Sequence, residues 1–505
     1  MQPKVTRAGD RGILADFGAD VTAAELHARA AALHEDPHVV ACVVGQQSLY
    51  VVFDGDPAID FDDVPPIAFT PRTHVIDVDF SGPDLDELLA YAHLARGDFL
   101  KRVPSIRLTA RYLGFCAGFA YLEGWPDEWR MPRRTTSRNL VPRGSFAIAG
   151  AMAGFYPVDS PGGWNLLGRT NASLWDSNAD PPNRFAPGDV IEIRPASIDS
   201  FDAPAAANVE NGSEIVAEVV APGQLTTIVG ARDWKRADYG VSPGGPFDVL
   251  AAALANRAAG NDDDAPLLEC VLVAPRLRFR TARRAAFCDG GGDVQTFTLA
   301  AGEELNLGRF HGGLRGYLAI EGGIDEMRAR YAEAPTVVRV GMAIRSLKRE
   351  ASYLRVSTVE SLLPRFLGEK VPLRRYRSSG QAPADEGADL SRKEPEAKDI
   401  RIILGPHDAP TLPEEWEVTA QLNRVGIRLR PIETSSFVAS ANLPSCGMQF
   451  GTLQWHPDGS LVAMGPDHPV TGGYLQPATV VSDDLWKLAQ LAPGERIRLI
   501  VCTAG

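Results

Sequence analysis

Hydrophobic positions in the first hundred residues follow strand and helix spacing in turn. GILADFG, residues 12–18, is typical of a strand, and TAAELHARAAALHED, residues 22–36, repeats apolar residues at helical intervals. VVACVVGQQSLYVVFD, residues 39–54, predicts a hairpin around GQQS. These patterns predict a small α+β unit over residues 1–75, and a further amphipathic helix is predicted over residues 84–100.

Beyond this helix the chain consists of short β-branched or aromatic runs separated by Gly and Pro, a pattern typical of sandwiches and barrels. Residues 198–214 and 377–399 contain few large apolar side chains and are expected to be linkers. We therefore expect a mainly β protein with an α+β N-terminal domain. Its expected barrel regions are residues 76–197, 215–376 and 400–505.

An internal repeat supports this division. GSFAIAG, PVDSPGGW and FAPGDVIEIRP occur within residues 144–195, and GSLVAMG, PVTGGY and LAPGERIRLIV follow in the same order within residues 459–501. The repeat indicates a duplicated β-rich domain. The alternative is that the APG-acid pattern only marks a common turn before an edge strand.

Composition and charge exclude several classes of protein. The chain has 505 residues, too many for one core, and a formal net charge of −13 that disfavours nucleic acid as a partner. No stretch approaches the ~18 apolar residues of a membrane span, and no secretion signal precedes the first strand, so a cytoplasmic protein without a membrane partner is expected. The six cysteines form no CxxC pair, so neither a metal site nor a disulfide framework is predicted.

The stretch YPVDSPGGWNLLGRT, residues 156–170, contains the densest set of candidate binding groups. Successive glycines can present N–H groups to an anion, and Arg169 could clamp a carboxylate. The alternative is a tight turn in which Asp159 accepts local backbone N–H bonds and Arg169 is a surface charge. The candidates in this stretch are Asp159, Ser160, Gly162, Gly163, Trp164 and Arg169.

GFCAGFAYLEGWP, residues 114–126, intersperses glycines with aromatic residues. Glycines permit close backbone approach and aromatic rings can wall a planar ligand. Phe115, Phe119 and Tyr121 therefore line either a pocket or a packed β-bend.

The stretch around Ser242 matches the G-x-S-x-G pattern of a nucleophile elbow, but Pro243 has no N–H to donate to an oxyanion, so an acyl-enzyme serine is not expected. Asp248 falls in the first turn of the following helix, where it either caps that helix or binds a ligand. Glu269 lies in the apolar run LLECVLV and must be either functional or paired, for example with Arg257.

FHGGLRGYLAIEGGID, residues 310–325, holds His311 and Arg315, and His311 is either a base or a hydrogen-bonded structural residue. The chain has no phosphate-binding loop, no H-E-x-x-H motif and no Met-Lys pair of a biotin attachment site. No cofactor is therefore predicted from a motif. ATP or carboxybiotin, if used, would come through a partner.

Taken together, these motifs resemble a known pair of proteins. Residues 106–195, with YLGFCAGFAYLEGWP and YPVDSPGGWNLLGRT, resemble the first of the allophanate hydrolase subunits 1 and 2, and residues 222–505, with YGVSPGGPFD and TGGYLQPATVVSDDLWKLAQLAPGERIRL, resemble the second. The pair is also similar to two subunits of bacterial ATP-dependent 5-oxoprolinase. It is likewise similar to the carboxyltransferase part of urea carboxylase, and to a histidine-kinase inhibitor with its antagonist.

The resemblance implies tandem cyclophilin-like β-barrels with a ligand pocket where the two halves meet. It implies a component of an ATP-dependent amide or lactam hydrolase that acts on a small amide with a separate 5-oxoprolinase-type subunit. The alternatives are a carboxyltransferase that works with a biotin carboxylase-type subunit, and a non-catalytic regulator that binds a histidine kinase. A homo-oligomer is compatible with each of these expectations.

If the chain is such a hydrolase component, we expect the candidates to have the following roles. Asp159, Glu269 and His311 are the expected catalytic groups, and Arg169 and Arg315 would bind a substrate carboxylate. Val103 and Leu475 stand where the family usually has His and Pro, which predicts an altered substrate or a lost activity. The other expected substrate-binding residues are Phe115, Phe119, Tyr121, Ser160, Gly162, Gly163, Trp164, Ser242, Asp248, Gly472, Gly473 and Tyr474.

Overall fold

The computed structural model describes most of the chain, with several gaps. The described residues are 2–57, 59, 61, 70–201, 214–325, 336–346, 397–409, 411–433 and 443–503. Most of the two expected linkers, 198–214 and 377–399, lies outside them. In the described part, every helix is too short or too polar to cross a lipid bilayer.

An α+β unit opens the fold, as the hydrophobic pattern predicts. Its antiparallel sheet has the order β1-β2-β4-β3 and packs against helix α1. Thr22 caps this helix by accepting a hydrogen bond from the Glu25 N–H at 3.1 Å. The elements are β1 (Lys4–Arg7), β2 (Gly12–Asp16), α1 (Ala23–Leu33), β3 (Val39–Val44) and β4 (Ser48–Phe53).

The helix predicted over residues 84–100 is in fact two helices, α2 (Leu85–Tyr91) and α3 (Arg96–Arg102). His93 lies between them with a φ of 50°, in the left-handed region that a right-handed helix cannot contain. The apolar positions fit one helix, but the local backbone at His93 turns the chain.

The first barrel is a seven-stranded sheet with the order β12-β9-β10-β7-β6-β13-β5. Backbone hydrogen bonds of 2.8 and 2.9 Å between Asp79 and Arg169 join its two ends. The expected boundary after residue 75 falls inside β5. The strands are β5 (Thr73–Val78), β6 (Arg107–Leu113), β7 (Ala120–Glu123), β8 (Arg138–Val141), β9 (Ser145–Ala149), β10 (Met152–Phe155), β11 (Ser160–Gly162), β12 (Asn165–Arg169) and β13 (Val190–Pro195).

The central region consists of two sheets that share one apolar core, with helix α4 on the outer face of the larger sheet. The four-stranded sheet has the order β20-β17-β14-β23 and the six-stranded sheet the order β19-β18-β21-β16-β15-β22. The elements are β14 (Ile215–Ala221), β15 (Leu225–Val229), α4 (Val249–Ala259), β16 (Leu267–Val271), β17 (Arg276–Phe279), β18 (Arg283–Asp289), β19 (Val294–Leu299), β20 (Glu304–Asn306), β21 (Arg315–Ile320), β22 (Thr336–Val337) and β23 (Ala343–Arg345).

The C-terminal barrel is closed, with the order β24-β31-β28-β29-β26-β25-β32. Its core includes the fully buried Trp416 and Trp455. The elements are β24 (Lys398–Leu404), β25 (Glu415–Leu422), β26 (Gly426–Pro431), β27 (Cys446–Gly447), β28 (Thr452–Trp455), β29 (Leu461–Met464), β30 (Thr471–Gly472), β31 (Leu475–Val480), α5 (Leu485–Ala489) and β32 (Arg496–Val501). The mainly β fold with tandem barrels is confirmed, although the described part of residues 215–376, expected to be a further barrel region, forms two sheets.

The first and C-terminal barrels have the same strand order, and each carries a short two-stranded sheet beside it, β8 with β11 and β27 with β30. This topology supports a duplication, but one landmark of the sequence repeat is displaced by a strand. GSFAIAG forms β9, whose topological equivalent is β28, whereas GSLVAMG forms β29. A Gly-Ser turn therefore precedes β9 in the first barrel but β29 in the C-terminal barrel. The two similar sequences lie at positions that are not structurally equivalent.

Candidate functional site

A cavity of about 290 Å³ opens in the first barrel, at the end where β7 and β11 begin. Such a volume suits a small organic molecule. Half of the described residues that line it are aromatic, and one is a cation: Phe115, Phe119, Tyr121, Arg133, Ser137, Tyr156, Pro161, Gly162, Gly163 and Trp164.

The aromatic wall is built around Phe119. Its ring lies edge to face with those of Tyr121, Tyr156 and Trp164, with centroids 5.0, 5.4 and 5.5 Å away. Phe119 and Tyr156 are buried, while Trp164 is half-buried at the mouth. Edge-to-face contacts fix the rings mutually, so the wall is preformed.

Gly162 and Gly163 leave no room for a side chain, because Tyr156 packs against the first and Arg133 against the second. A Cβ atom on Gly162 would lie 2.4 Å from the Tyr156 hydroxyl, and one on Gly163 would lie 2.9 Å from Arg133 Nε. The Arg134 N–H donates to the Gly163 carbonyl at 3.0 Å, which holds the segment around residue 133 against the glycines. Any larger residue at either position would displace a cavity wall.

Arg133 is the positive charge of the cavity. Its neighbours Arg134 and Arg138 instead bind Asp84, at 3.2 and 2.6 Å. Asp84 also accepts the Leu166 N–H at 2.7 Å, so its negative charge is fully engaged. The cavity can therefore attract an anionic group to Arg133.

Two further features make the cavity a candidate site. Burial raises the pKa of Tyr156 to about 12, with Arg133 acting in the opposite direction, so the phenol stays protonated and can donate a hydrogen bond. Phe115 has a φ of 65°, which is unusual for a residue with a side chain and typical of functional positions. Its ring is partly exposed at the mouth of the cavity.

Asp159 and Arg169 lie outside the cavity lining. Both bind the backbone of Arg143: its N–H donates to Asp159 Oδ1 at 2.6 Å, and Arg169 Nε donates to its carbonyl at 2.7 Å. The Arg169 guanidinium also stacks on Phe201, 4.4 Å from the ring centroid. The Ser160 hydroxyl is buried in β11, without a hydrogen-bond partner among the described residues. The two charged candidates thus stabilise a turn beside the cavity.

Glu269 is at the centre of a buried network between the central sheet and the C-terminal barrel. Its Oε1 accepts from Arg424 Nη1 at 2.8 Å, and its Oε2 accepts from the Phe247 N–H and the Tyr317 hydroxyl, both at 2.9 Å. Burial alone would raise the pKa of Glu269, but Arg424 and Arg315 outweigh it and hold this pKa below its usual value. Arg257, the partner suggested by the sequence, instead pairs with Asp263 at 2.5 Å.

Arg315 and Asp248 belong to the same network. Arg315 Nη1 donates to the Ala489 carbonyl at 2.5 Å, and its guanidinium stacks on Phe247 at 4.3 Å. Asp248 caps helix α4 through the Ala251 N–H at 3.0 Å and accepts from Gln490 at 2.9 Å. Burial raises the pKa of Asp248 to about 6.

The remaining candidates are dispersed over the molecule. Ser242 donates to the His468 carbonyl at 2.7 Å, and His311 is exposed on the turn before β21. Tyr474 follows Gly472 and Gly473 in the C-terminal barrel and stacks on His456, with centroids 4.2 Å apart. Among the described residues, no group of three or more His, Cys, Asp or Glu side chains is placed to hold a metal ion.

The motif loops of the two halves meet directly behind the cavity. The Thr471 hydroxyl donates to the Leu113 carbonyl at 3.4 Å, and a Cβ atom on Gly114 would lie 1.8 Å from that hydroxyl oxygen. The cavity residue Tyr121 stacks on Tyr112, with centroids 4.3 Å apart. The resemblance implied a pocket between the halves, whereas the cavity itself is lined by the first barrel and the second half supports its back.

Comparison with known proteins gives two family-model matches that divide the chain as the fold does. The model "Carboxyltransferase domain, subdomain C and D" matches residues 3–185, and "Carboxyltransferase domain, subdomain A and B" matches residues 239–501, more than half of the chain. The chain belongs to the carboxyltransferase-domain family. The aromatic cavity therefore lies in subdomains C and D, and the Glu269 network in subdomains A and B.

Relatives of this carboxyltransferase-domain protein are separate subunits or parts of longer chains. It is 31% identical over 172 residues to the B subunit of 5-oxoprolinase from Escherichia coli O157:H7, covering 32% of this chain and 79% of the relative. It is 28% identical over 306 residues to the C subunit of 5-oxoprolinase from Escherichia coli strain K12, covering 57% and 91%. It is 28% identical over 318 residues to urea amidolyase of Lachancea kluyveri, covering 56% of this chain but only 17% of that one.

A solved structure matches the whole arrangement of this family member. The crystal structure of TTHA0988 aligns with a TM-score of 0.77 and 26% identity, over 97% of this chain and 99% of the other. The order of the two family domains in one chain is thus shared with a solved protein. The resemblance found from the sequence motifs is confirmed.

Arg133, like Ser137, lines the cavity but was missed by the sequence motifs. It lies in MPRRTTSR, residues 131–138, between the two aromatic motifs, where neighbouring arginines give no sign of which one faces a ligand. Tyr156 was part of a quoted motif, but its hydroxyl was not recognised as a donor. The burial of Asp84, which captures Arg134 and Arg138, is the feature that singles out Arg133, and it is visible only in the fold.

Proposed function

We propose that this protein is a component of an ATP-dependent amide or lactam hydrolase of the 5-oxoprolinase type, acting with a separately encoded partner subunit. The observation that carries the proposal is the cavity of subdomains C and D, with an aromatic wall and one arginine. The presence in one chain of regions similar to the B and C subunits of 5-oxoprolinase supports it.

5-Oxoproline has the features that this cavity would recognise. Its flat lactam ring would lie against Phe119 and Trp164, and its carboxylate would bind Arg133. The protonated phenol of Tyr156 lies beside Gly162, where it can donate to the lactam carbonyl. These groups would bind and orient the ring while the partner supplies ATP-dependent activation of the carbonyl, after which water opens the amide bond to give glutamate.

The location proposed for this complex is the cytoplasm. All six cysteines are free, and five of them are buried, which fits a reducing compartment.

A turnover assay tests the proposal. The chain is co-purified with the subunit encoded by its neighbouring gene and incubated with ATP and 5-oxoproline, and ADP and glutamate are measured. We expect both products in equal amounts, and their absence above background would contradict the proposal. Arg133→Gln should reduce the rate, whereas Arg130→Gln is the matched control because Arg130 is exposed and pairs with Asp127 at 2.5 Å.

Carboxyl transfer from carboxybiotin to urea or a related amide is the second candidate, favoured by the family model and the urea amidolyase match. The distinguishing assay adds a biotin carboxylase subunit with its carrier, ATP, labelled bicarbonate and urea. Urea-dependent incorporation of label without glutamate formation from 5-oxoproline would replace the lactamase proposal with this one.

A further inference from the structure

The C-terminal barrel repeats the glycine-containing loop and the packed segment that border the first-barrel cavity. Gly472 lies in the short strand β30, as Gly162 lies in the short strand β11. β30 pairs with β27, as β11 pairs with β8. A Cβ atom on Gly473 would lie 2.8 Å from the Leu443 carbonyl oxygen and 3.5 Å from the Ser445 hydroxyl. The segment around residue 444 thus takes the place that the segment around Arg133 takes in the first barrel.

The side chains on the barrel strands next to this loop are apolar in the first barrel but polar in the C-terminal barrel. In the first barrel, Ala147 and Leu166 pack with Phe119 in an apolar cluster. Strand register places Gln454 at the position equivalent to Ala147. The residues that follow them, Ile148 and Trp455, lie opposite Asn165 and Leu475, which directly follow Trp164 and Tyr474.

Leu166 is replaced by a second glutamine. Gln476 follows Tyr474 by two residues, as Leu166 follows Trp164. The C-terminal barrel therefore presents two amides where the first barrel presents hydrocarbon.

Both amides are buried and incompletely bonded. Gln454 is 4% exposed and Gln476 is fully buried, and among the described residues neither Gln454 Nε2 nor Gln476 Oε1 has a hydrogen-bond partner. Gln476 Nε2 donates to Cys446 Sγ and to the Gly447 carbonyl, both at 3.3 Å, which fixes the orientation of its amide. One donor and one acceptor are left unpaired in an interior where such groups are costly.

We propose that the C-terminal barrel holds a second ligand site, specific for an uncharged carboxamide group. Gln454 Nε2 would donate to the carbonyl oxygen of the ligand, and the ligand N–H would donate to Gln476 Oε1. A carboxylate does not fit, because it has no N–H for Gln476 and its charge would be buried without a cation. The site is thus distinct from the Arg133 cavity in both place and charge preference.

Access to this site runs past the loop that contains Gly472, Gly473 and Tyr474. Gln454 Nε2 lies 2.6 Å from the position of a Cβ atom on Gly472, so the amide is covered directly by this loop. Tyr474, at the end of this loop, and His456 are both half-buried, and their rings stack on each other. A Cβ atom on Gly472 would also lie 2.6 Å from Met448 Cε, so a ligand would enter only when this loop moves outward.

The test is a fluorine NMR titration of the full chain with trifluoroacetamide and, separately, trifluoroacetate. We expect the amide to bind, and to bind at least about tenfold more weakly to Gln454→Met and to Gln476→Met, since each near-isosteric change removes one hydrogen bond. Gln454→Met should also keep or raise the melting temperature, because it removes an unpaired buried donor. A merely structural glutamine would lower the melting temperature instead.

Gln449→Met is the matched control, because Gln449 is a buried glutamine whose Nε2 is bonded to the Ala8 carbonyl at 3.1 Å. It should retain amide binding and lose thermal stability. Trp164→Ala in the first cavity should also leave amide binding unchanged. The proposal is overturned if the wild-type chain binds no amide, if both glutamine variants bind it normally, if trifluoroacetate binds equally well at this site, or if Trp164→Ala abolishes the binding.

Discussion

Arg424 Nη1 donates to Glu269 Oε1 at 2.8 Å, and this buried ion pair ties the C-terminal barrel to the central sheet. Arg424 also donates two hydrogen bonds to the Asp467 carboxylate, at 2.7 and 2.9 Å, and one to the Gly245 carbonyl at 2.8 Å. Every oxygen of Glu269 is engaged by a donor from another element. The network is therefore suited to holding the two parts of subdomains A and B together.

Removing the carboxylate of this pair should destabilise the protein strongly. Glu269→Gln leaves Arg315 buried without its paired carboxylate and leaves Arg424 with Asp467 alone. We expect a loss of about 3–5 kcal/mol in the free energy of unfolding, measured by urea denaturation. Glu304→Gln is the control, because Glu304 pairs with Arg278 on the surface at 2.6 Å and should cost only about 0–1 kcal/mol. Equal effects of the two substitutions would show that the buried pair is not an anchor.

Asp248 should make stability depend on pH. Burial raises its pKa to about 6, above the value of about 4 in an unfolded chain, so the folded protein binds this proton more tightly. The stabilisation is full below about pH 4 and is lost as the pH rises through about 6, by about 3 kcal/mol in total. Asp248→Asn, which does not titrate here, should lack this loss.

The measurement for Asp248 is the difference in free energy of unfolding between the wild-type chain and Asp248→Asn, followed from pH 4 to pH 8 by urea denaturation. The wild type should lose stability relative to the variant across this interval. A difference that does not change with pH would contradict a raised pKa at Asp248.

The contact between Gly114 and Thr471 should couple the two halves of the chain. Gly114→Ala places a methyl group 1.8 Å from the Thr471 hydroxyl oxygen, and we expect a loss of about 1–3 kcal/mol in the free energy of unfolding. Thr471→Gly should recover part of that loss in the double variant, because it removes the clashing atoms. Strictly additive effects in this double-mutant cycle would argue against the contact.

Local patterns in the sequence predicted much of the fold. Alternation predicted the N-terminal hairpin around GQQS, and the motif repeat indicated the duplicated barrels. The displaced landmark in β29 shows the limit of that approach, because a Gly-Ser turn specifies a local bend and not the strand that follows it. The break at His93 was also beyond the pattern, since helical spacing continues through it.

The sequence predicted the aromatic walls of the candidate site but not its charged residue. The rings of Phe119 and Trp164 line the cavity because glycine-rich turns bring them there, and this signal is local in sequence. The direction of a charged side chain depends on partners that are distant in sequence. Asp159 turns to the backbone N–H of Arg143, and Asp84 binds the arginines near Arg133. Sequence therefore located the walls of the cavity but placed its positive charge at Arg169.

The proposed function requires the aromatic cavity to bind 5-oxoproline, with the carboxylate of the ligand on Arg133. Isothermal titration of the chain alone with 5-oxoproline, comparing the wild type with Arg133→Gln and Arg130→Gln, tests it most directly. We predict affinity at least about tenfold weaker in Arg133→Gln, as for the loss of one charge-assisted hydrogen bond, and unchanged affinity in Arg130→Gln. Equal affinity of the wild type and Arg133→Gln would contradict the binding of the ligand carboxylate by Arg133.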